Sequence, residues 1–467
     1  MNTLALLNHL HRSGGDHGRT RSGVSIINVI VIIAFTLSST IAFSLVSGTW
    51  MFYQRAEDPF GHVAALQESS QDVYNLLYMW VGLALFACLV LIPALQSLTN
   101  QAAVVGTTGR EQRLAVLRLI GVSSKQVTRM TVLETAVYCL VGITVGMFAY
   151  FLLLPALTRV EFQGEKIRLE EVVLPWWGYL AVAGVILFIA VTSTWFAMGR
   201  IRVDPLGVAK RAMPPALRIW QALIGLAVAV GVYIFLQSFT MSLELSTAIG
   251  ILVTVFVMLA FVYLIGPFAL QFSARIAARF PGTAHYVATQ RVLTNPKIAW
   301  RRVAVAAFLS WIIGFLVISP VGDTNTWNER SFNLLISDIG TGIVLTLGFG
   351  YALMAISLFL GQATAVYENA ELTRSLHLVG VNRWFLTRVA LWEVLGPTLL
   401  VSLLGFASSS LTALGVFGSG SHTEAGGRLL MAGALVGLGW VLTFAAIVAV
   451  EPLRSQVFTR MNSDELG

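Results

Sequence analysis

The amino-acid sequence predicts an all-α integral membrane protein with about ten transmembrane helices. Hydrophobic residues make up 56% of the 467 residues and charged residues only 11%, whereas a soluble domain carries about 25% charged residues. The hydrophobic residues are gathered into runs of about 20, the length that a helix needs to cross the hydrocarbon core. Basic residues are concentrated in alternate loops between these runs, as in multi-pass membrane proteins.

The apolar runs predict ten spans. They lie near residues 24–46, 76–99, 129–155, 175–197, 217–237, 246–271, 303–320, 334–361, 386–416 and 429–449. The first run is long and begins after 23 residues, so we expect a retained span rather than a cleaved signal peptide. The two cysteines, Cys88 and Cys139, lie inside apolar runs, where a small buried thiol is more usual than a disulfide or a metal site.

The charges of the loops predict the orientation of the chain. If the N-terminus is cytoplasmic, the inner segments hold all but six of the 30 Lys and Arg residues. The six on the outer side are Arg55, Arg159, Lys166, Arg168, Arg330 and Arg428. The positive-inside rule therefore places both termini in the cytoplasm. The net charge of +7 then follows from topology and does not indicate a nucleic-acid partner.

The sequence contains two copies of one unit. Residues 110–140 align with residues 369–399 without gaps, at a shift of 259 positions. The matched pairs are Leu117/Leu376, Leu119/Leu378, Gly121/Gly380, Val122/Val381, Thr128/Thr387, Arg129/Arg388, Glu134/Glu393 and Leu140/Leu399. The two units also end with similar motifs, Asp204-Pro205-Leu206 and Glu451-Pro452-Leu453. Since both copies have the same orientation, they predict parallel repeats related by an axis along the membrane normal.

The repeat predicts a division of the chain into four parts. A cytoplasmic amphipathic segment occupies residues 1–23, and a first four-helix unit occupies 24–211. A two-helix connector covers 212–275, and a second four-helix unit covers 276–467. The spans therefore follow a four, two, four plan. A second amphipathic stretch, "VATQRVLTNPK", precedes the seventh span and is expected to lie on the inner membrane surface.

Each unit is predicted to present a short helix, a tight turn and a long helix that enters the membrane. Gly121 and Gly380 suit the left-handed residue that ends a helix. Ser123 with Gln126, and Asn382 in the second copy, suit the cap of the following helix. The short helices are expected over 108–121 and 368–380. The alternative interpretation is an ordinary cytoplasmic loop whose basic residues serve topology alone.

The sequence resembles the FtsX-like permease family, the membrane subunits of MacB-type ABC transporters. The resemblance rests on "GREQRLAVLRLIGVSSKQVTRMTVLETAVYCLVG" and "DPLGVAKR" in the first copy. In the second copy it rests on "ENAELTRSLHLVGVNRWFLTRVALWEVLG" and "EPLRSQ", and "RVLTNPKIAWRRVA" is similar to the entry to the family's first span. The large extracytoplasmic domain that members often carry is missing, because loops 50–75 and 321–333 are too short for an independent core.

The resemblance implies that the two short helices are coupling helices seated on an ABC ATPase subunit, expected as a dimer. The residues expected to make this contact are Glu111, Arg113, Leu114, Leu117, Arg118, Gly121, Val122, Leu376, His377, Gly380 and Val381. Ala370 stands opposite Glu111, and His377 opposite Arg118, so the two contacts are not expected to be equivalent. ATP and Mg²⁺ would be bound by the partner, and the chain itself is expected to hold no cofactor and to be no enzyme, since it has no Walker A motif.

Ionisable residues within the spans are the remaining candidates, because each costs several kcal/mol unless it is satisfied. Glu134 and Glu393 are interpreted as an intramembrane switch or support. Asp338 is interpreted either as part of a substrate route or as an interfacial residue. A group of polar residues near the N-terminus lacks zinc-type spacing and is interpreted as solvated rather than metal-binding; it consists of His9, His11, Asp16 and His17.

These features lead to one main hypothesis and two alternatives. The main hypothesis is the permease subunit of an ABC transporter in the bacterial cytoplasmic membrane, moving a hydrophobic or amphipathic compound, with export favoured by the resemblance. The first alternative is an ATPase-driven signalling device that controls a cell-wall hydrolase or a sensor, for which loop 157–175 is charged enough to contact a partner. The second, an ion-coupled transporter, is disfavoured because few ionisable residues lie deep in the spans.

Overall fold

The computed structural model describes residues 21–61, 64, 72–108, 123–200, 227, 231, 245–318, 330–368, 370–417 and 425–455. Within these residues the chain forms twelve helices and one small β-hairpin. The fifth predicted span, residues 217–237, lies outside the described residues apart from positions 227 and 231. The N-terminal segment 1–20 and most of the first predicted coupling helix, residues 109–122, also lie outside them.

The elements follow the order expected for two similar units. In the first part of the chain they are α1 (Arg21–Glu57), α2 (Asp72–Thr108), α3 (Ser124–Leu157), β1 (Glu161–Phe162), β2 (Glu165–Lys166), α4 (Leu169–Val172) and α5 (Trp176–Arg200). In the second part they are α6 (Leu245–Ala277), α7 (Thr283–Thr294), α8 (Pro296–Ile318), α9 (Arg330–Glu368), α10 (Ala370–Leu378), α11 (Arg383–Phe417) and α12 (Ala425–Val448).

Nine helices among the described residues are long and apolar enough to cross a membrane. They correspond to nine of the ten predicted spans, which confirms an all-α, multi-pass membrane protein. Several helices continue well past the predicted ends: α1 runs to Glu57 and α2 to Thr108. Beyond the hydrocarbon core, polar residues can remain helical because backbone hydrogen bonds also form there. Hydropathy therefore marks the apolar span but not the end of the helix.

The helices pack as two similar four-helix groups. Helices α1, α2, α3 and α5 pack together, and so do α8, α9, α11 and α12. Each group contains an equivalent closely packed pair, α1 with α3 and α8 with α11. Helix α6 packs against α8 and α7, and α7 packs along α11. The boundary predicted at 275 falls inside α6, which runs to Ala277, and residue 211 lies outside the described part, so the division of the chain stays a prediction.

Glycines bring the helices of each close pair together. A Cβ at Gly146 of α3 would overlap Ser39 and the carbonyl of Thr36 in α1, and a Cβ at Gly405 of α11 would overlap the carbonyl oxygen of Ala307 in α8. Gly146 and Gly405 are separated by the repeat shift of 259 positions. Small residues allow helix backbones to approach closely, which is how helices gain contact in a bilayer.

The two groups meet along a seam between α2 and α9, which run parallel. Trp80 contacts Asp338 and Leu91 lies near Gly350, while Ser97 lies against Ser357. The residue numbers in these pairs differ by 258, 259 and 260, within one position of the repeat shift. A twofold axis brings a surface into contact with its own equivalent. The seam therefore follows the pseudo-twofold axis that the repeat predicts.

The two ends of the bundle carry different small elements. One end carries the β-hairpin and α4, and we call it the hairpin end. The opposite end carries α7 and α10, and we call it the α10 end. Gln163 and Gly164 form the two-residue turn of the hairpin and both have positive φ, 60° and 75°, as a type I′ turn requires.

We expect that Gly405→Ala will destabilise the protein, because the new methyl group would overlap the backbone of Ala307. Overpacking of this kind typically costs about 1–3 kcal/mol, and it should lower the thermal melting temperature of the purified protein in detergent. Gly437→Ala in α12 is the matched control, since a Cβ there meets nothing within 4 Å. A melting temperature for Gly405→Ala equal to that of Gly437→Ala would contradict the close contact.

Candidate functional site

Helix α10 with its following turn matches the predicted second coupling helix, residues 368–380. The helix itself covers Ala370–Leu378. Gly380 has φ +89°, and the amide of Val381 donates to the carbonyl of Leu376 at 3.0 Å. This is the hydrogen bond of a Schellman motif, which closes a helix with a left-handed glycine. Asn382 then accepts from the amide of Trp384 at 3.2 Å and caps α11, as predicted.

Apolar side chains are exposed around the end of α10. Leu378 is 70% exposed and Val379 is 83% exposed. Leu372 and Trp384 are also exposed, while Leu376 and Val381 are half-buried. Contiguous exposed apolar side chains beside polar ones are typical of a protein-binding surface. The backbone of His377 lies in the last turn of α10.

The matching residues of the first copy are outside the described residues. Seven predicted contact residues fall there: Glu111, Arg113, Leu114, Leu117, Arg118, Gly121 and Val122. The description resumes at Ser123, which forms the predicted capping box with Gln126 at the start of α3. The roles proposed for all these residues in ATPase contact stay predictions.

Glu393 joins three helices near the α10 end. Its two carboxylate oxygens accept from Arg302 of α8 at 2.6 Å and from Arg291 of α7 at 3.1 Å. Both partners are arginines of neighbouring helices, and the sequence did not reveal which residues they are. Glu134, its equivalent in the first copy, accepts a long bond of 3.5 Å from Tyr138. Neither contact tests a switching role.

A second polar group ties the end of α12 to α11. Thr387 of α11 donates to Glu451 at 2.8 Å and accepts from Arg454 at 2.7 Å. Arg454 also pairs with Glu451 at 3.2 Å. The closing motif "EPLR" therefore folds back onto the first turns of α11. Thr387 and the motif were visible in the sequence as repeat matches, but the contact between them was not predicted.

Asp338 lies at the hairpin end of the seam. Its Oδ2 accepts from the indole Nε1 of Trp80 in α2 at 2.9 Å and from the backbone amide of Gln163 at 2.8 Å. Only 6% of Asp338 is exposed, so it is a buried contact between the two groups. Neither a substrate route nor a merely interfacial position is decided by this geometry, but Trp80 and Gln163 are partners that the sequence did not reveal.

Arg55 holds the hairpin against α1 and α4. Its guanidinium donates to Glu171 at 2.7 Å and 3.1 Å, and to the carbonyls of Phe162 at 2.8 Å and Lys166 at 3.3 Å. Arg55 is 2% exposed, and a buried charge is tolerated only with such partners. The predicted outer loop 157–175 is therefore packed onto the bundle.

Comparison with protein families identifies one part of the chain. Residues 98–205 match the family model described as FtsX-like permease C-terminal. This part of the chain is an FtsX-like permease domain. The match runs from the last part of α2 past the end of α5 and includes the first predicted coupling-helix residues. No curated protein matches the chain.

The FtsX-like domain assigns a coarse function. FtsX-like permeases are membrane subunits of ABC transporters and generally work with an ATPase subunit, so the chain is a permease-type, multi-pass membrane subunit. The predicted family is confirmed at this level.

We expect that Glu393→Gln will weaken the contact between α7, α8 and α11, because Arg291 and Arg302 lose their shared anion. The arginines are partly exposed, so the loss should be modest, about 1 kcal/mol. It should appear as a lower melting temperature and as faster proteolysis near α7. Lys297→Gln, an exposed charge on the first turn of α8, is the control. Equal effects of the two changes would mean that the Glu393 ion pairs do not stabilise this end.

Proposed function

We propose that this chain is the permease subunit of a MacB-type ABC transporter that exports a hydrophobic or amphipathic compound across or out of the bacterial cytoplasmic membrane. ATP hydrolysis on a separate ATPase dimer drives transport, and the ATPase binds ATP and Mg²⁺. Helix α10 and the equivalent segment 108–121 are the two coupling helices. One chain with two such segments serves both ATPase subunits.

The surface around α10 is the observation that carries this proposal. A short helix with a fixed Schellman turn presents Leu378 and Val379 outward. Burial of such side chains in a groove of a partner is favourable by about 25 cal/mol per Å² of apolar surface removed from water. The predicted role of His377 in the same contact follows from its place in the last turn of α10.

The packing behind α10 supports a mechanical role for this helix. Four residues separate the end of α10 from the start of α11, and α11 packs closely against α8. Gly405 and Glu393 join α11 to α8, and Thr387 joins α11 to the end of α12. A displacement of α10 would therefore move α8, α11 and the end of α12 as one body. In the first group, Gly142 and Gly146 join α3 to α1 in the same way.

Movements of the two four-helix groups would be transmitted to the seam between α2 and α9. When the ATPase dimer closes, the two coupling helices approach each other and the two groups turn about the seam. The described spans have many exposed apolar side chains. We propose that a hydrophobic substrate reaches the seam laterally, from the outer leaflet of the bilayer. Asp338 lies at the hairpin end of this seam, on the proposed route.

The alternative signalling function is supported less well by the hairpin end. A signalling partner would have to contact loop 157–175, but Arg55 and Asp338 hold the hairpin against the bundle. Within loop 157–175, the surface left for a partner consists of the exposed side chains of a two-stranded hairpin and α4. Export therefore remains the main proposal.

We expect that Leu378→Asp will abolish or strongly reduce association with the ATPase. Co-expression with the ATPase encoded beside the gene, followed by purification in lipid nanodiscs, gives the stoichiometry and the turnover. Two ATPase subunits should copurify with each wild-type chain, and the variant should lose at least tenfold in affinity. Because Leu378 is already exposed, an Asp at this position should not disturb folding.

Leu169→Asp is the matched control, because Leu169 is an exposed leucine at the hairpin end. It should bind and stimulate the ATPase like the wild-type chain. Unchanged ATPase binding by Leu378→Asp would remove α10 from the contact. Failure of the wild-type chain to bind any ATPase would overturn the proposed function as a whole.

The orientation gives a separate prediction. With Cys88 and Cys139 replaced by alanine, Asp58→Cys at the hairpin end should react with a membrane-impermeant maleimide on intact cells. Val379→Cys should react only after the cells are opened, because both termini and α10 are proposed to be cytoplasmic. The opposite labelling pattern would invert the topology and would place α10 away from any cytoplasmic ATPase.

A further inference from the structure

Three charged side chains are buried together at the hairpin end, and their charges do not balance. Arg55, Glu171 and Asp338 are all less than a tenth exposed. One guanidinium stands against two carboxylates, which leaves one negative charge. Arg168 stacks on the ring of Phe60 nearby at 3.9 Å, but its side chain is exposed, so water screens its charge.

Of the two carboxylates, Asp338 is the one without a hydrogen-bonded cation among the described residues. The guanidinium of Arg55 is directed at Glu171 and at two carbonyls of the hairpin. Asp338 receives its hydrogen bonds from the neutral donors Trp80 Nε1 and Gln163 N. A carboxylate buried in a membrane protein normally pairs with a cation, and one without a cation is a candidate functional group.

Gln163 adds unfilled hydrogen-bonding capacity beside Asp338. Gln163 is 1% exposed, yet neither its Oε1 nor its Nε2 has a partner among the described residues. Glu171 Oε1 is also buried without a partner among them. Nearly all buried polar atoms in native proteins are hydrogen-bonded. Gln163 also takes the first turn position with φ 60°, a conformation in which glycine and asparagine are favoured.

We propose that Asp338 and Gln163 bind the cationic group of an amphipathic substrate, an ammonium or guanidinium attached to a hydrophobic body. The inference rests on the proposed function and specifies its substrate class. The cation would neutralise Asp338 and would offer donors to the free oxygen of Gln163. The hydrophobic body would lie along the α2–α9 seam, where Leu91 lies near Gly350.

The test measures equilibrium binding of dodecylguanidinium to the full chain in lipid nanodiscs, without the ATPase. Dodecanoate carries a similar alkyl chain with the opposite charge, and empty nanodiscs give the partition background. The wild-type chain should show saturable binding of the cation and none of the anion. Asp338→Asn should weaken cation binding at least tenfold, because the asparagine oxygen can still accept from Trp80 and Gln163 but carries no charge.

Two further variants distinguish the loss of the Asp338 charge from a folding defect. Asp338→Glu retains the charge and should bind the cation more tightly than Asp338→Asn does, whereas a fold defect would affect both. Asp58→Asn removes an exposed charge at the same end and should change the dissociation constant less than twofold.

Equal binding of the cation by wild type and Asp338→Asn would overturn the proposal. Saturable binding of dodecanoate would overturn it as well. Because binding is measured without the ATPase, either result leaves the proposed coupling through α10 to be decided by the ATPase experiment.

Discussion

The close approach of paired helices is the constraint on which the rest of this structure depends. In a bilayer, lipid chains are as apolar as leucine, so helices associate through tight backbone contact more than through burial of apolar surface. Gly146 and Gly405 provide that contact, since neither carries a Cβ that would separate its helix from the partner. The close pairs α1–α3 and α8–α11 are then stiff units against which the other helices pack.

Polar side chains are concentrated where these stiff pairs meet other elements. Glu393 binds arginines from two different helices, and Arg55 binds a carboxylate and two carbonyls. Each ionisable group in a span costs several kcal/mol unless it is satisfied, so such groups act as specific ties between elements. One set of polar contacts lies near α10 and the other holds the hairpin. The apolar parts of the helices lie between the two sets.

Much of the fold could be predicted from the sequence, because hydropathy and the repeat are local or periodic signals. The spans, the left-handed Gly380 and the caps at Ser123 and Asn382 follow from residue type and spacing. The partners of Asp338 and Glu393 could not be predicted, since they depend on which helix faces which. Gly146 and Gly405 stand at the repeat shift, but their importance emerges only from the packing. The first coupling segment remains a sequence prediction.

The Trp80–Asp338 contact in the seam is possible because the two units belong to one chain. In a symmetric dimer every contact across the axis occurs twice, so a Trp–Asp pair there would bring a second aspartate close to the first. Two like charges would then be buried side by side, which is unfavourable. In this chain the positions equivalent to Asp338 and Trp80 in the other unit, at the shift of 259, are Met79 and Ile339. Both are apolar and packed against the core. Because both units are in one chain, a single charged residue can be buried near the axis, whereas a homodimer of half-length chains would have to bury two.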